Sequence, residues 1–195
     1  KNESISLELN DGPIRVDIES LETGILVRMF QRKPQFLSRH DSKIIADIFN
    51  LKQTDFIDEV PIQTVSTGTA MLMVPLKSKA ALRNVKMNVD LYRNYREKSD
   101  FFSPHFFCLS GETKDASTFA RHLGTPPDTL EDAFTGSATG CMGAFLWKYG
   151  LMTENKFIAE QGHWMSRPGR ASVEAVGEFS DLHSVIVSGT AVTVV

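Results

Sequence analysis

Between Gly136 and Tyr149 the chain reads GSATGCMGAFLWKY, small or apolar on every side, with Lys148 as its sole charge. At ~1.5 Å per residue a helix over 136–149 extends about 21 Å, too short to cross a bilayer. A helix with no polar face must be enclosed by protein. Gly136, Ala138, Gly140, Gly143 and Ala144 would let surrounding backbone approach closely. The flanking sequence is rich in strand patterns, so the expected architecture is a sheet curled around this helix.

Those strand patterns start early. Ile5, Leu7 and Leu9 alternate with polar residues, Ile14, Val16 and Ile18 repeat the pattern, and Ile25, Val27 and Met29 repeat it again. Turns are expected at Asn10-Asp11-Gly12 and Glu22-Thr23-Gly24. Three such strands cannot close a core by themselves and need further strands to pair with. Lys33 to His40 reads as a linker. Asp41 and Ser42 open an amphipathic helix carrying Ile44, Ile45, Ile48 and Phe49. Strands are expected at 62–65, 70–74, 101–109, 117–123, 157–160, 171–176 and 185–195, and helical spacing at 77–83 and 90–98. The stretch 124–130, with two prolines, reads as a loop.

Composition narrows the function. The 195 residues are 42% hydrophobic and 23% charged, which excludes disorder, collagen and coiled coil. Lys+Arg 21 against Asp+Glu 24 gives a net charge of −3, with no general footprint for nucleic acid or an anionic membrane. Five histidines and two cysteines are scattered without CxxC or HxxxH spacing, so neither a metal site nor a disulfide framework is expected. No apolar run is long enough for a membrane span and no signal peptide pattern opens the chain, so a cytoplasmic location is the default expectation. Lys1 in place of a starting Met suggests that the sequence begins partway through a longer protein.

Chemistry concentrates where a loop enters the buried helix, at Glu131-Asp132-Ala133-Phe134-Thr135-Gly136-Ser137-Ala138. A helix N-terminus carries unsatisfied N–H groups and partial positive charge. Gly136 and Ser137 put little bulk over those donors, so a carboxylate or phosphate can dock there. Asp132 and Glu131 can set an acid–base group beside it. The plainer alternative makes Thr135 or Ser137 an ordinary N-cap and Asp132 a first-turn charge. No Gly-Lys-Ser/Thr follows, GxGxxG is absent, and Ser137 is not in GxSxG spacing.

Two further segments stand out. Gln161 to Gly169 is either a hairpin connection with Arg167 in solvent or a loop lining the same cleft, with Gln161 and Gly162 near the ligand. Gly68, in Ser66-Thr67-Gly68-Thr69, marks a bulge or a close backbone approach to a ligand. Cys108 and Cys141 read as buried thiols. Arg121 is a candidate partner for Glu131 or Asp132.

Taken together, these motifs resemble the PhzF-like family of phenazine biosynthesis, relatives of diaminopimelate epimerase. Glu131 to Ala138 matches the family's E-D-P-V-T-G-S-A, with Ala133-Phe134 in place of Pro-Val. Ser66-Thr67-Gly68, Val74 to Ser78, Gln161-Gly162 and Met165 to Gly169 follow in family order. The resemblance implies an α+β fold of the diaminopimelate epimerase-like type: two similar halves, each a strand barrel around a central helix, with the active site between them. On that basis residues 1–36 would end the N-terminal half. Residues 37–184 would form a complete C-terminal half around helix 136–149, and 185–195 would return toward the first half.

The resemblance also implies an isomerase or epimerase-like enzyme that moves a proton on a small carboxylate metabolite without a cofactor or metal. Asp132 would be catalytic, and Thr135, Gly136, Ser137, Gly68, Gln161 and Gly162 would bind substrate. The family's principal acid–base Glu and its Gly-His motif have no counterpart in these 195 residues, so a homodimer partner or a second chain would supply the remainder. Two rivals remain: a non-catalytic member that binds a metabolite or protein, and a hydrolase using Ser137 or Cys141 with His163.

Overall fold

The computed structural model describes residues 2–9, 12–22, 24–124 and 130–191. Asn10-Asp11 and Thr23 of the expected turns, 125–129 of the expected loop and 192–195 of the expected last strand lie outside the described residues.

In chain order the elements begin with strands β1 (Asn2–Leu7), β2 (Ile14–Leu21), β3 (Gly24–Phe30) and β4 (Gln35–His40). Helix α1 (Ser42–Phe49) and a 3₁₀ turn (Gln53–Asp55) lead into β5 (Ile62–Ser66) and β6 (Ala70–Leu76). Helices α2 (Lys79–Asn84) and α3 (Val89–Arg96) precede β7 (Ser103–Cys108), β8 (Thr118–Leu123) and β9 (Glu131–Asp132). Then come α4 (Gly136–Lys148), β10 (Lys156–Gln161), a 3₁₀ turn (His163–Met165), β11 (Gly169–Glu178) and β12 (Asp181–Ala191).

The strands form one sheet in the order β1-β2-β3-β12-β11-β10-β8-β7-β6-β5-β4, with β9 attached to β8. The β6–β7 and β8–β10 pairs are parallel and the rest antiparallel. Helix α4 touches β5 and β6 near one end of the run and β11 and β12 toward the other, so the sheet wraps it. Ala138 to Leu146 are buried there, packed on Val65, Met71, Phe107, Ala120, Val173 and Val185. Gly143 is where the strands come nearest, since a Cβ there would lie 2.5 Å from Val173 Cγ1. The opposite face of β6–β8 carries α1, α2 and α3 on Leu72, Val74, Phe106 and Phe119. Covered on both faces, β6 is an unbroken apolar run from Met71 to Leu76.

Three sequence expectations need correction. Lys33 to His40 is no linker throughout: Gln35 to His40 forms β4, paired with β5. A register shift between Phe36 and Arg39 breaks its alternation and hides it from a period-2 search. Nor is one face of the opening strands buried. Val16 is buried, but Ile5 and Leu7 are 36% and 38% exposed. Helix α1 starts as expected, with the Asp41 side chain accepting from Lys43 N, but Ile44 lies outside the apolar face formed by Ile45, Ile48 and Phe49.

Candidate active site at the entry to the buried helix

The first turn of α4 is built by a short loop and two glutamines. Thr135 occupies the N-cap with an extended backbone, and its carbonyl accepts the first helical bond from Thr139 N at 2.9 Å. Its hydroxyl does not cap the helix but donates to Asp132 Oδ2 at 2.7 Å. The first-turn amides of Gly136 and Ser137 therefore receive no cap from the Thr135 hydroxyl. Buried Gln161, at the end of β10, clamps the loop from below. Its Nε2 donates to Asp132 O at 2.8 Å and to Thr135 Oγ1 at 3.3 Å, and its Oε1 accepts from Thr135 N at 3.3 Å.

Gln31, just past β3, clamps from the other side. Its Nε2 donates to Gly136 O at 3.2 Å and its Oε1 accepts from the Thr67 hydroxyl. Gly140 makes this possible, because a Cβ there would overlap the Gln31 carboxamide. Gly162 has a comparable role: its φ is +83°, and a Cβ would lie 2.4 Å from the carbonyl oxygens of Ala133 and Arg167. The Ala133-Phe134 pair is absorbed locally, with Ala133 buried and the Phe134 ring packed over Gly169.

In front of this turn lies a cavity of about 520 Å³. Gly136, Ser137, Thr67, Gly68, Thr69, Gln31 and Arg32 form its polar end; Ile14, Val27, Met29 and Val187 form an apolar wall. The half-buried Arg32 donates to Gly12 O at 2.8 Å. Among the described residues no carboxylate lines the cavity, so its polar end has the electrostatics of an anion site.

The expected site residues therefore fall into three places. Gly136, Ser137 and Gly68 line the cavity. Thr135 and Asp132, bonded to each other, lead into the helix and are not among the lining residues, and Gln161 and Gly162 brace the loop. Sequence reasoning missed Gln31 and Arg32, for which the polar pair that ends the apolar alternation of β3 was the available signal, and within Ser66-Thr67-Gly68-Thr69 it chose Gly68 alone, whereas Thr67 and Thr69 line the cavity too. Glu131 is engaged elsewhere: Arg121 grips it with bonds of 2.9 and 2.7 Å, while Arg121 Nη1 also donates to Leu82 O and Val85 O.

A hydrolytic reading fares poorly. The Cys141 sulfur lies against Thr67 Oγ1 and Thr69 O, and burial pushes its thiol up to about 11. His163 Nε2 lies 3.8 Å from Glu160 Oε1 and its ring packs edge-on against Phe119, not against Ser137 or Cys141. Among the described residues no group of three or more His, Cys, Asp or Glu is placed to hold a metal ion, and no helix is long and apolar enough to cross a membrane.

An enclosed central helix opening at its N-terminus onto a cavity, with an aspartate bonded to its N-cap threonine, belongs to an α+β protein of the epimerase-like class. The model of the PhzC-PhzF family, phenazine biosynthesis-like proteins, matches residues 1–195, and the chain belongs to that family. It is 31% identical over 189 residues to the uncharacterized isomerase YfhB of Bacillus subtilis, covering 96% of this chain and 64% of that protein. The crystal structure of the Bacillus anthracis phenazine biosynthesis protein of the PhzF family superposes with a TM-score of 0.82 at 27% identity, covering 97% of this chain and 66% of that one. The predicted epimerase PA4716 from Pseudomonas aeruginosa gives 0.78 at 25% identity, covering 97% and 64%. The chain thus spans less than two thirds of these relatives.

Proposed function

We propose that this chain carries the substrate-holding half of an isomerase or epimerase-like enzyme that moves a proton on a small carboxylate metabolite. The observation behind it is the first turn of α4, whose Gly136 and Ser137 line a cavity with no carboxylate among the described lining residues, and whose N-cap Thr135 is bonded to Asp132. The amides hold the substrate carboxylate and stabilise negative charge as it develops during proton removal. Asp132 positions the substrate and shares the acid–base work. The naming of YfhB as an isomerase and of PA4716 as a predicted epimerase supports this class of reaction.

The principal acid–base group belongs to polypeptide outside these residues, on the same chain or on a partner. In this reading residues 1–36 and 185–195 go with that second half, and 37–184 form the half described here. The exposed strand β1 and the apolar wall of the cavity are where the second half would seat. Deuterium incorporation in D₂O, followed by NMR over a panel of small carboxylates with the full-length protein, tests the proposal. Incorporation lost about 100-fold in Asp132→Asn supports it, whereas full exchange in that variant overturns the role of Asp132. One observation favours a binding-only alternative: Asp132 is absent from the cavity wall. Calorimetric binding of a carboxylate without any exchange would select it.

A further inference from the structure

His105, His122 and Asp132 stand in a row across three neighbouring strands. The β7–β8 register sets His105 opposite His122, and the β8–β9 register sets His122 opposite Asp132. Directly opposed residues of antiparallel strands project from one face with Cβ atoms ~5 Å apart. That face is the one Phe107 and Ala120 turn toward α4. Both imidazoles are buried.

Both ring nitrogens of His122 are engaged, one by Ser103 and one by His105. Ser103 Oγ lies 3.4 Å from Met71 Sδ, which can only accept, and 2.8 Å from His122 Nε2; with its hydroxyl given to the sulfur, it would accept from a protonated Nε2. A neutral ring protonated there has a bare Nδ1, which would accept from His105 Nδ1, 3.3 Å away. His105 Nε2 is then a buried lone pair with no partner among the described residues. The groups facing His122 that carry or can carry charge are His105 and Asp132. Glu131, one residue along, projects to the other face and binds Arg121, and α4 carries no charge before Lys148. Burial pushes His122 down to about 4 against the opposing pull of the Asp132 carboxylate. Burial, and then His122, lower His105 as well.

We propose that His122, backed by His105, is a positioning residue for Asp132: a polar wall whose protons are all committed to other partners, leaving the carboxylate to Thr135 and the ligand. This rests on the reading of Asp132 given above. A cation at this position would fix Asp132 as a permanent anion, and a hydrogen-bond donor would compete with the substrate. A neutral ring with no donor to spare does neither.

Imidazole carbon and nitrogen NMR of the purified chain, assigned by the resonances lost in His122→Asn, tests this. At pH 7, His122 is expected to be neutral with Nε2 protonated and Nδ1 bare; the opposite tautomer or an imidazolium overturns the proposal. In acid its midpoint is expected near 4, and about half a pH unit or more lower in Asp132→Asn, because that variant loses the favourable charge. A midpoint that stays put in Asp132→Asn overturns the coupling while leaving the role of Asp132 intact. Undiminished proton exchange on substrate in Asp132→Asn defeats the functional reading whatever His122 does.

Discussion

Thr135 holds the capping position of α4, yet its hydroxyl turns back to Asp132 Oδ2 at 2.7 Å. The helix gains no side-chain cap from it, and the aspartate gains an orienting donor. Thr135→Val should therefore cost only about 1 kcal/mol in stability, the scale of one hydrogen bond, but reduce substrate exchange at least tenfold. Thr135→Ser should retain both. Urea denaturation alongside the deuterium assay separates the two effects, and unaltered exchange in Thr135→Val would remove Thr135 from the site.

Gly162 meets two demands at once, a positive φ and backbone carbonyls 2.4 Å from where a Cβ would stand. Neither carbonyl belongs to a flexible side chain, so the turn itself must move. Gly162→Ala is expected to destabilise by at least about 2 kcal/mol and to displace the Asp132 loop. A thermal midpoint within a degree of the parent would contradict it.

Arg121 joins Glu131 to the carbonyls of Leu82 and Val85, tying the site strand to the end of α2. The side chains of Arg121 and Glu131 are 16% and 21% exposed, well short of free screening by water. Arg121→Ala strands an acceptor carboxylate and two carbonyls, with an expected loss of about 2–4 kcal/mol. The double variant with Glu131→Gln should recover part of it, and additive losses in the thermodynamic cycle would deny the coupling.

The buried histidines give stability a definite pH slope. His122 binds its proton near 4 when folded and near the ordinary 6.5 when unfolded, so the unfolded chain takes up the extra proton between those limits. Stability is full above about 6.5 and declines as pH falls toward 4, by about 3 kcal/mol for this one group. His105 acts in the same direction. Hydrogen bonds to Glu160 from Thr113 and from Glu112 N outweigh its burial and hold it below the usual range, which adds a loss at still lower pH. Urea midpoints at pH 7, 5.5 and 4 should fall steadily; a level series would mean that the imidazoles are not buried as described.

Much of this could be read from the chain because local pattern and final environment agree. The apolar, small-residue segment 136–149 had one physical solution, and α4 is that solution. The turn Asp132 to Ser137 was recognisable because its elements are contiguous. By contrast, Gln31 reaches Gly136 across 105 residues of sequence, and the His105–His122–Asp132 row exists only through strand register. Strand β4 escaped for a similar reason: Gln35 to His40 has no clean alternation and is extended because β5 pairs with it.

Strand β12 hydrogen-bonds on one side to β11 and on the other to β3, with Ile186 opposite Phe30. The meander β1–β3 thus joins the rest of the sheet through a segment the ribosome delivers only after α4 and most of the wrapping strands. Until then the edge of β3 lacks its β12 partner, and its open ladder invites neighbouring nascent chains. The pace of late synthesis, and whatever shields that edge meanwhile, should therefore govern how much of this protein reaches its native form.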